Sequence, residues 1–372
     1  MEARDVPGLR FTLSELAGAF GDFGIIIPLM FAAAVVCRLN LGYIFLFFGI
    51  WFIVTGLVYR IPIPVEPMKV IAVVAISGTL AGTEIAAAGI LLGVMFFFLG
   101  FGRWMQYIEK YVPEAVIRGI QLGLALLLLK SAAEFCIKDP LFFIFGVAVI
   151  AVIFAVSYYR KVPDLSALCL MVIAGVIGVI MTGFPEIYPI GLPALVIPGI
   201  PDFAQSVPGL VIPQAVVTIT NAILATSLLS KDLFTRDVPP AKLSKTIGVM
   251  NIVSSPLGGF PMCHGAGGLA AQYRFGARTG GSNIIAGVIL LVIALFFAGP
   301  GFQQLISPGI YGALLLFVGI EMGKHGFKTD NMAATLVTGV MAVISVALGF
   351  FVGLFISYAG KWYQKRKMEK SS

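Results

Sequence analysis

The sequence predicts an all-α polytopic membrane protein with about 14 transmembrane segments, arranged as a 7+7 inverted repeat. Hydrophobic residues make up 59% of the 372-residue chain, and the mean hydropathy is +1.00. Charged residues make up 12%, whereas soluble chains contain about 25%. Because one span takes about 20 residues, the composition leaves room for roughly a dozen or more spans and excludes a sizeable soluble catalytic domain.

Apolar runs that are interrupted by Gly, Pro and charged residues define the segments in chain order. The first seven are predicted at residues 13–37, 41–59, 64–82, 84–101, 113–133, 140–158 and 164–183. The second seven are predicted at residues 207–230, 243–257, 260–273, 282–299, 304–322, 330–347 and 350–363. The first repeat is therefore expected over 1–183 and the second over 207–363. An extracytoplasmic connection at 184–206 joins them, and a short basic cytoplasmic tail follows at 364–372.

The distribution of basic residues tests this topology. With both termini in the cytoplasm, 21 of the 25 Lys and Arg residues fall in cytoplasmic segments. Three fall outside (Arg38, Lys130 and Lys138), and Lys69 falls within a span. Basic loops face the cytoplasm in most membrane proteins, so the pattern predicts an integral protein of the cytoplasmic (plasma) membrane. The same loops account for the net charge of +7, and no nucleic-acid partner is expected.

Cysteine and histidine usage argues against metal and redox chemistry. The four cysteines form no CxxC pair, and the chain has two histidines. We therefore expect no metal site and no cofactor. An intramembrane enzyme would need a nucleophile oriented by a base, and the adjacency of Cys263 and His264 in sequence does not orient two side chains. The chain is not expected to be an enzyme.

Two of the predicted spans, the third and the tenth, are expected to be broken. Each contains a Pro-Met pair, at Pro67–Met68 and at Pro261–Met262, and the two pairs lie 194 positions apart, close to half the chain. Proline interrupts a helix but suits its first turn, so each span should begin as extended chain and continue as a half-helix. Such backbone is tolerated at membrane depth only where it lines a cavity. Two facing half-helix N-termini would bind an anion; alternatively, these Pro and Gly residues only permit kinks or close packing.

Ionisable groups at membrane depth are candidate functional residues. Asp22 lies in the middle of the first span, and it either takes part in coupling or bonds a neighbouring backbone group. Glu66 and Lys69 bracket Pro67–Met68; they either neutralise each other, or Lys69 contacts the anion. His264 in the tenth span could donate to an oxyanion, titrate, or fill a polar notch. Thr218, Thr220 and Asn221 occupy the corresponding stretch of the eighth span.

Three blocks of the sequence resemble a known family. The block from Phe260 to Gly280 closely resembles the signature of the molybdate transporter family, which is related to the sulfate permeases. The blocks Glu15–Pro28 and Pro67–Ala75 resemble the other two signatures of that family. The resemblance covers essentially the whole chain. It implies a seven-plus-seven inverted repeat like that of uracil permease, with a core domain of spans 1–4 and 8–11 and a gate domain of spans 5–7 and 12–14.

The resemblance also implies a substrate pocket between the third and tenth spans, flanked by the first and eighth. The substrate is expected to be a tetrahedral oxyanion, molybdate, and a homodimer in the lipid membrane fits the family architecture. The positions that the blocks place at the pocket are Gly21, Asp22, Met68, Lys69, Thr220, Asn221, Cys263, His264, Gly265 and Ala266.

The charge of the substrate indicates how import must be driven. Moving one charge through 100 mV involves about 2.3 kcal/mol, so importing a dianion costs about 4.6 kcal/mol per 100 mV. We therefore expect a secondary active transporter that works by alternating access. It should import at least two cations with each anion, and we expect these cations to be protons. The candidate proton carriers are Asp22, Glu66 and His264. A sulfate or general oxyanion permease, and an anion channel of the same fold, remain the alternatives.

Overall fold

A computed structural model describes residues 8–77, 80–101, 104–160, 166–299 and 305–371. Within the first half of the chain, the helices are α1 (Leu13–Val36), α2 (Leu41–Tyr59), α3 (Lys69–Ser77), α4 (Gly82–Leu99), α5 (Trp104–Tyr111), α6 (Glu114–Lys138), α7 (Pro140–Arg160) and α8 (Ser166–Thr182). The second half contains α9 (Ile200–Ser206), α10 (Ile212–Val217), α11 (Thr226–Phe234), α12 (Pro240–Ser254), α13 (Ala266–Arg274), α14 (Gly281–Val292), α15 (Pro308–Gly326), α16 (Met332–Ile344) and α17 (Val346–Ser371). Two short strands, β1 (Glu66–Pro67) and β2 (Met262–Cys263), pair with each other.

The predicted class, an all-α polytopic membrane protein, is confirmed. Five helical stretches of the described chain are long and apolar enough to cross a membrane, by length and composition: 41–59, 82–99, 114–138, 140–160 and 214–234. Apolar side chains on the outer helices are exposed, as lipid contact requires; Ile144 on α7 is 65% exposed and Ile180 on α8 is 78% exposed. The count of 14 spans stays a prediction.

The boundaries of the helices differ from the predicted segments in three places. Helix α5 lies between the fourth and fifth predicted spans and exposes Trp104 and Tyr107, a pattern typical of the membrane interface. Helix α9 lies within the predicted connection at 184–206. Helix α17 continues to Ser371, through the predicted tail, because the Lys, Arg, Gln and Glu residues there favour helix and no Gly or Pro interrupts them.

Helices from the two halves of the chain pack against each other in pairs. Helix α2 packs along α14, α4 along α12, and α1 along α13. Glycines allow the closest approach: a Cβ added at Gly287 of α14 would lie 2.5 Å from the Gly49 carbonyl oxygen of α2. Small residues of this kind allow backbones to approach closely where lipid supplies no hydrophobic force between helices.

A second group of contacts joins α6, in the first half of the chain, to α15, α16 and α17 in the second half. Helix α6 packs against α15 and α16, and α17 packs against α16 and α6. A Cβ at Gly123 of α6 would lie 2.5 Å from Cβ of Ala342 of α16. These contacts are those expected of a separate gate domain, but the division into core and gate domains stays a prediction.

The extended segments before α3 and α13 are held by two buried asparagines. Asn251 of α12 donates from Nδ2 to the carbonyl oxygen of Met262 (2.6 Å) and accepts from the Met262 N–H at Oδ1 (2.8 Å). Asn283 of α14 donates from Nδ2 to the carbonyl oxygen of Ile63 (2.5 Å). A non-helical backbone cannot satisfy these groups by itself, so the two side chains supply the bonds that a neighbouring strand would otherwise make.

We expect Asn251→Leu to lower the thermal stability of the purified protein. Leucine has a similar volume but leaves the buried N–H and C=O of Met262 unpaired, at about 1–3 kcal/mol each. The apparent Tm in detergent should fall by about 3 °C or more. The control is Thr182→Ala, which removes a hydroxyl bond to the Gly178 carbonyl on the outer surface and should shift the Tm by less than about 1 °C. Equal melting of both variants would show that Asn251 does not hold the segment.

Candidate functional site

The two broken segments meet in antiparallel register, which brings the N-termini of α3 and α13 together. Glu66 lies opposite Cys263, and Pro67 lies opposite Met262. The Met68 N–H donates to the carbonyl oxygen of Pro261 at 2.9 Å. Because the two half-helices begin directly after this pairing, their positive ends face the same small region between α1 and the π-helical stretch Thr218–Ala225.

Glu66 is fully buried and connects the two half-helices. Its Oε1 accepts from the N–H of Gly268, in the first turn of α13, at 2.5 Å. Its Oε2 lies 3.0 Å from Nζ of Lys69, the first residue of α3, whose side chain is 22% exposed. The structure therefore contains the Glu66–Lys69 ion pair that was one of the two alternatives from the sequence. The Glu66 carboxylate also caps α13, which lies in the other half of the chain.

Asp22 presents a second buried carboxylate to the same place. It is 0% exposed, and neither of its oxygens has a hydrogen-bond partner in the described part of the chain. A Cβ added at Gly268 would lie 2.4 Å from Oδ1 of Asp22 and 2.5 Å from Oε1 of Glu66. The two carboxylates therefore share a space that exists because position 268 lacks a side chain. An unpaired charge at this depth is expensive, so the arrangement is typical of a binding or coupling site.

Two buried amides, one on α13 and one on the π-helical stretch that contacts it, have polar atoms without a partner in the described chain, and sequence reasoning identified one of them. Asn221 of the π-helical stretch is 1% exposed, and its Oδ1 has no partner among the described residues. Gln272 approaches Asp22 without completing a hydrogen bond, and its Nε2 is likewise unpartnered among those residues. The sequence analysis did not place Gln272 in the site. Its position one turn after Gly268 on the same face of α13 was the signal that could have placed it in the site.

Gln214 was also missed by the sequence analysis. Its Oε1 accepts from the N–H of Val70 in the first turn of α3 (2.8 Å), and its Nε2 donates to Oγ1 of Thr218 (2.9 Å). Gln214 lies in an apolar stretch with no motif around it, so the sequence carried no signal for this cap. Each half-helix is thus capped by a side chain from the other half of the chain, by the neutral Gln214 for α3 and by Glu66 for α13.

Three of the predicted pocket residues have local partners instead. The Thr220 hydroxyl donates to the carbonyl oxygen of Val216 in its own helix at 2.9 Å. The buried Cys263 thiol lies 3.9 Å from the carbonyl oxygen of Pro67, across the strand pair. Met68 is 0% exposed within the hydrophobic core. Their predicted roles in binding stay untested, but these contacts are those of packing and strand pairing.

The predicted backbone positions lie close to the site. A Cβ at Gly21 of α1 would lie 2.8 Å from the carbonyl oxygen of Ala271, so this glycine lets α1 approach α13 and place Asp22. A Cβ at Gly265 would lie 2.2 Å from Oε2 of Glu66. Ala266 is the buried first residue of α13. These positions carry no side chain or only a methyl group, because the site leaves no room for a larger one beside the backbone.

His264 is fully buried, and both of its ring nitrogens are engaged. Nδ1 lies 2.8 Å from the carbonyl oxygen of Pro64, which can only accept, so Nδ1 carries a proton and donates. Nε2 lies 2.7 Å from Oγ1 of Thr246 of α12. The ring also packs edge-on against Tyr59, with centroids 5.7 Å apart. This arrangement is the one expected of the polar-notch alternative, and a proton or an anion at Nε2 would require Thr246 to reverse or give up its bond.

Comparison with known proteins gives consistent relatives over almost the whole chain. A family model described as "Molybdate transporter of MFS superfamily" matches residues 14–128 and 206–322. Molybdate transporter 1 of Arabidopsis thaliana is 32% identical over 98% of this chain and 91% of its own length. Molybdate transporter 2 of the same plant is 31% identical over 92% of this chain and 86% of its own length.

Solved structures with the same fold are more distant in sequence. The transmembrane domain of a cyanobacterium bicarbonate transporter, BicA, matches with a TM-score of 0.60 and 17% identity, over 95% of this chain and 98% of that one. The murine solute carrier 26 family member A9 anion transporter, in its inward-facing state, matches with a TM-score of 0.66 and 14% identity. That match covers 98% of this chain and 70% of the other. At these identities, the likeness is one of fold.

We expect Gly268→Ala to fold but to bind molybdate at least about tenfold more weakly, a loss of about 1.4 kcal/mol. The added methyl group fills the space at the first turn of α13 that the anion would need, and the flexible side chains of Asp22 and Glu66 can give way, so the fold is retained. The matched control is Gly175→Ala of α8, where nothing lies within 4 Å of the new Cβ. Equilibrium dialysis of the purified proteins measures both. Unchanged binding by Gly268→Ala would place the anion elsewhere.

Proposed function

This chain belongs to the molybdate transporter family, and on that premise we propose that it is a secondary active transporter that imports molybdate through the site between α3 and α13. The observation that carries the proposal is the meeting of two half-helix N-termini, Lys69 and the Asp22 carboxylate, which has no hydrogen-bond partner in the described chain, at one buried place. Backbone N–H groups at a helix N-terminus bind oxyanions, and one lysine adds a full positive charge.

The driving force must come from cotransported cations. Import of a dianion against an inside-negative potential of 100 mV costs about 4.6 kcal/mol before any concentration gradient. Asp22 and Glu66 are the carriers that the geometry favours, because two carboxylates that share one space relieve their repulsion by binding a proton. His264, the third predicted carrier, stays a candidate that the geometry favours less, because a proton on Nε2 would require the Thr246 hydroxyl to reverse its bond.

A buried ion pair offers a contact that alternating access would have to break. Arg118 of α6, in the predicted gate domain, donates from Nη1 to Oδ2 of Asp232 of α11, in the predicted core domain, at 2.5 Å. Glu114 also pairs with Arg118 (3.0 Å), and Gln121 donates to the carbonyl oxygen of Ala225 (3.3 Å). Rocking of one domain against the other around a fixed site would separate these groups. We further propose that the protein is a homodimer in the cytoplasmic membrane, with both termini in the cytoplasm.

We expect Asp22→Asn to abolish concentrative uptake while the purified protein still binds molybdate. The amide keeps the shape of the side chain but cannot carry a proton. Uptake of molybdate into proteoliposomes is measured with and without an inward proton gradient. Asp330→Asn, at an exposed aspartate, is the control and should leave uptake unchanged.

The same vesicles separate the alternatives. If uptake by the unmodified protein does not change with the proton gradient or with an uncoupler, proton coupling is contradicted. Uptake that follows the membrane potential and never concentrates the anion would indicate a channel of this fold. Equal competition by sulfate at comparable concentrations would indicate a general oxyanion permease. Concentrative uptake by Asp22→Asn would remove Asp22 from the list of carriers.

We expect loss of the ion pair between α6 and α11 to slow transport. Arg118→Ala removes the positive charge that pairs with the partly buried Asp232, and loss of one partner of a buried pair is destabilising. Molybdate uptake should fall at least about tenfold, and the charge-swapped pair Arg118→Asp with Asp232→Arg should recover part of it. The control is Lys130→Ala, whose pair with Glu134 is 3.9 Å long and exposed. Normal uptake by Arg118→Ala would show that this contact does not limit the cycle.

A further inference from the structure

We propose that the Glu66 carboxylate occupies the oxyanion's own binding position, and that the transported anion binds by displacing it. This inference rests on the proposed function and deepens it, because it names the group that competes with the substrate. A carboxylate and a tetrahedral oxyanion both present oxygen acceptors with negative charge. They therefore seek the same donors.

The first support is the occupied N-terminus of α13. The first turn of a helix has N–H groups without intrahelical partners, and the one at Gly268 already donates to Oε1 of Glu66 at 2.5 Å. The carboxylate lies directly on the turn, since a Cβ at Gly265 would come within 2.3 Å of both of its oxygens. An anion that approached this helix end would meet Glu66 first.

The second support is that Glu66 also holds the cation of the site. Nζ of Lys69 lies 3.0 Å from Oε2 of Glu66, while its side chain keeps 22% of its surface exposed. A dianion that pairs with Lys69 and with the α13 N-terminus must therefore take both partners from Glu66. If the carboxylate stayed charged and in place, it would repel the dianion at close range.

The third support is the neighbour that a displaced Glu66 would meet. Oε1 of Glu66 and Oδ1 of Asp22 already lie on either side of the Gly268 Cβ position, and Asp22 has no described hydrogen-bond partner. Once Glu66 has lost Lys69 and Gly268, two adjacent carboxylates are stable together only with a proton between them. Binding of the anion therefore takes up one proton from solution onto this pair, and no covalent bond is made or broken.

The surroundings of Glu66 contain few other groups that could titrate in its place. Within the described chain, the titratable groups that face it are Asp22 of α1, Lys69 of α3 and the Cys263 thiol of β2. On α13, the neutral amide of Gln272 lies beside Asp22. Proton uptake on anion binding is thus assigned to the two carboxylates.

The test compares molybdate binding to the full-length protein and to Glu66→Gln in detergent, by titration calorimetry at pH 6 and pH 8. Buffers of different ionisation enthalpy count the protons taken up. The unmodified protein should take up about one proton per anion at pH 8 and bind more weakly there than at pH 6. Glu66→Gln, whose amide does not compete as an anion, should bind at least about tenfold more tightly at pH 8 and vary less than about threefold with pH.

The matched control is Glu84→Gln. Glu84 also caps a helix N-terminus, since its Oε2 accepts from the Ala81 N–H at 2.9 Å before α4, but it lies outside the site. This variant should bind molybdate as the unmodified protein does. If Glu66→Gln does not fold, the proton count on the unmodified protein decides, and no proton uptake overturns the inference.

Two outcomes separate this inference from the proposed function. Weaker molybdate binding by Glu66→Gln with an unchanged pH profile would show that Glu66 only caps α13, and the proposed transport function would stand. Binding by neither the unmodified protein nor Glu66→Gln would overturn the proposed function and this inference with it.

Discussion

The pairing of two short extended segments at membrane depth is the interaction on which the rest of the structure depends. The bond from Met68 N–H to Pro261 O, with Asn251 and Asn283 on either side, satisfies backbone that could not be exposed to lipid. The same pairing stops both helices at their N-termini and aims them at each other. The proposed anion site is therefore a consequence of the way the backbone is satisfied, and it needs few charged side chains. Close packing of α2 on α14 and of α4 on α12 holds the pair in register.

The charges around this pairing are unusual for the dianion site proposed here. Two carboxylates and one ammonium group lie together, so the site is not positive when all three are ionised. A static anion-binding protein would gain affinity by losing both acids. A transporter that must both bind and release its cargo has use for them, because an internal acid can replace the anion on Lys69 when the anion leaves and can accept a proton when the anion arrives.

Much of this architecture could be predicted from the sequence because its signals are strong and local. Apolar runs set the helices, and the prolines at 67 and 261 set the two breaks. What the sequence could not supply was the partner of each polar group. Gln214, in an apolar run, gives no sign that it caps α3, and His264 lies within the signature block although its nitrogens are bonded to Pro64 and Thr246. The Gln214–Val70 and His264–Pro64 contacts join residues 144 and 200 positions apart, and such contacts are fixed by packing, which periodicity does not report.

The different caps of the two half-helices indicate that the two predicted repeats are not equivalent in function. Gln214 of the second half caps α3, and Glu66 of the first half caps α13. The exchange ties each half-helix to the other half of the chain, so neither repeat can hold its own half of the site. The two caps also differ chemically, and this difference has the larger consequence for function. The neutral amide neither competes with an anion nor accepts a proton, whereas the carboxylate does both. Coupling between anion and proton can therefore arise at the α13 end alone, and the α3 end is left to contribute Lys69 and its remaining N–H groups to whichever anion, internal or transported, is present.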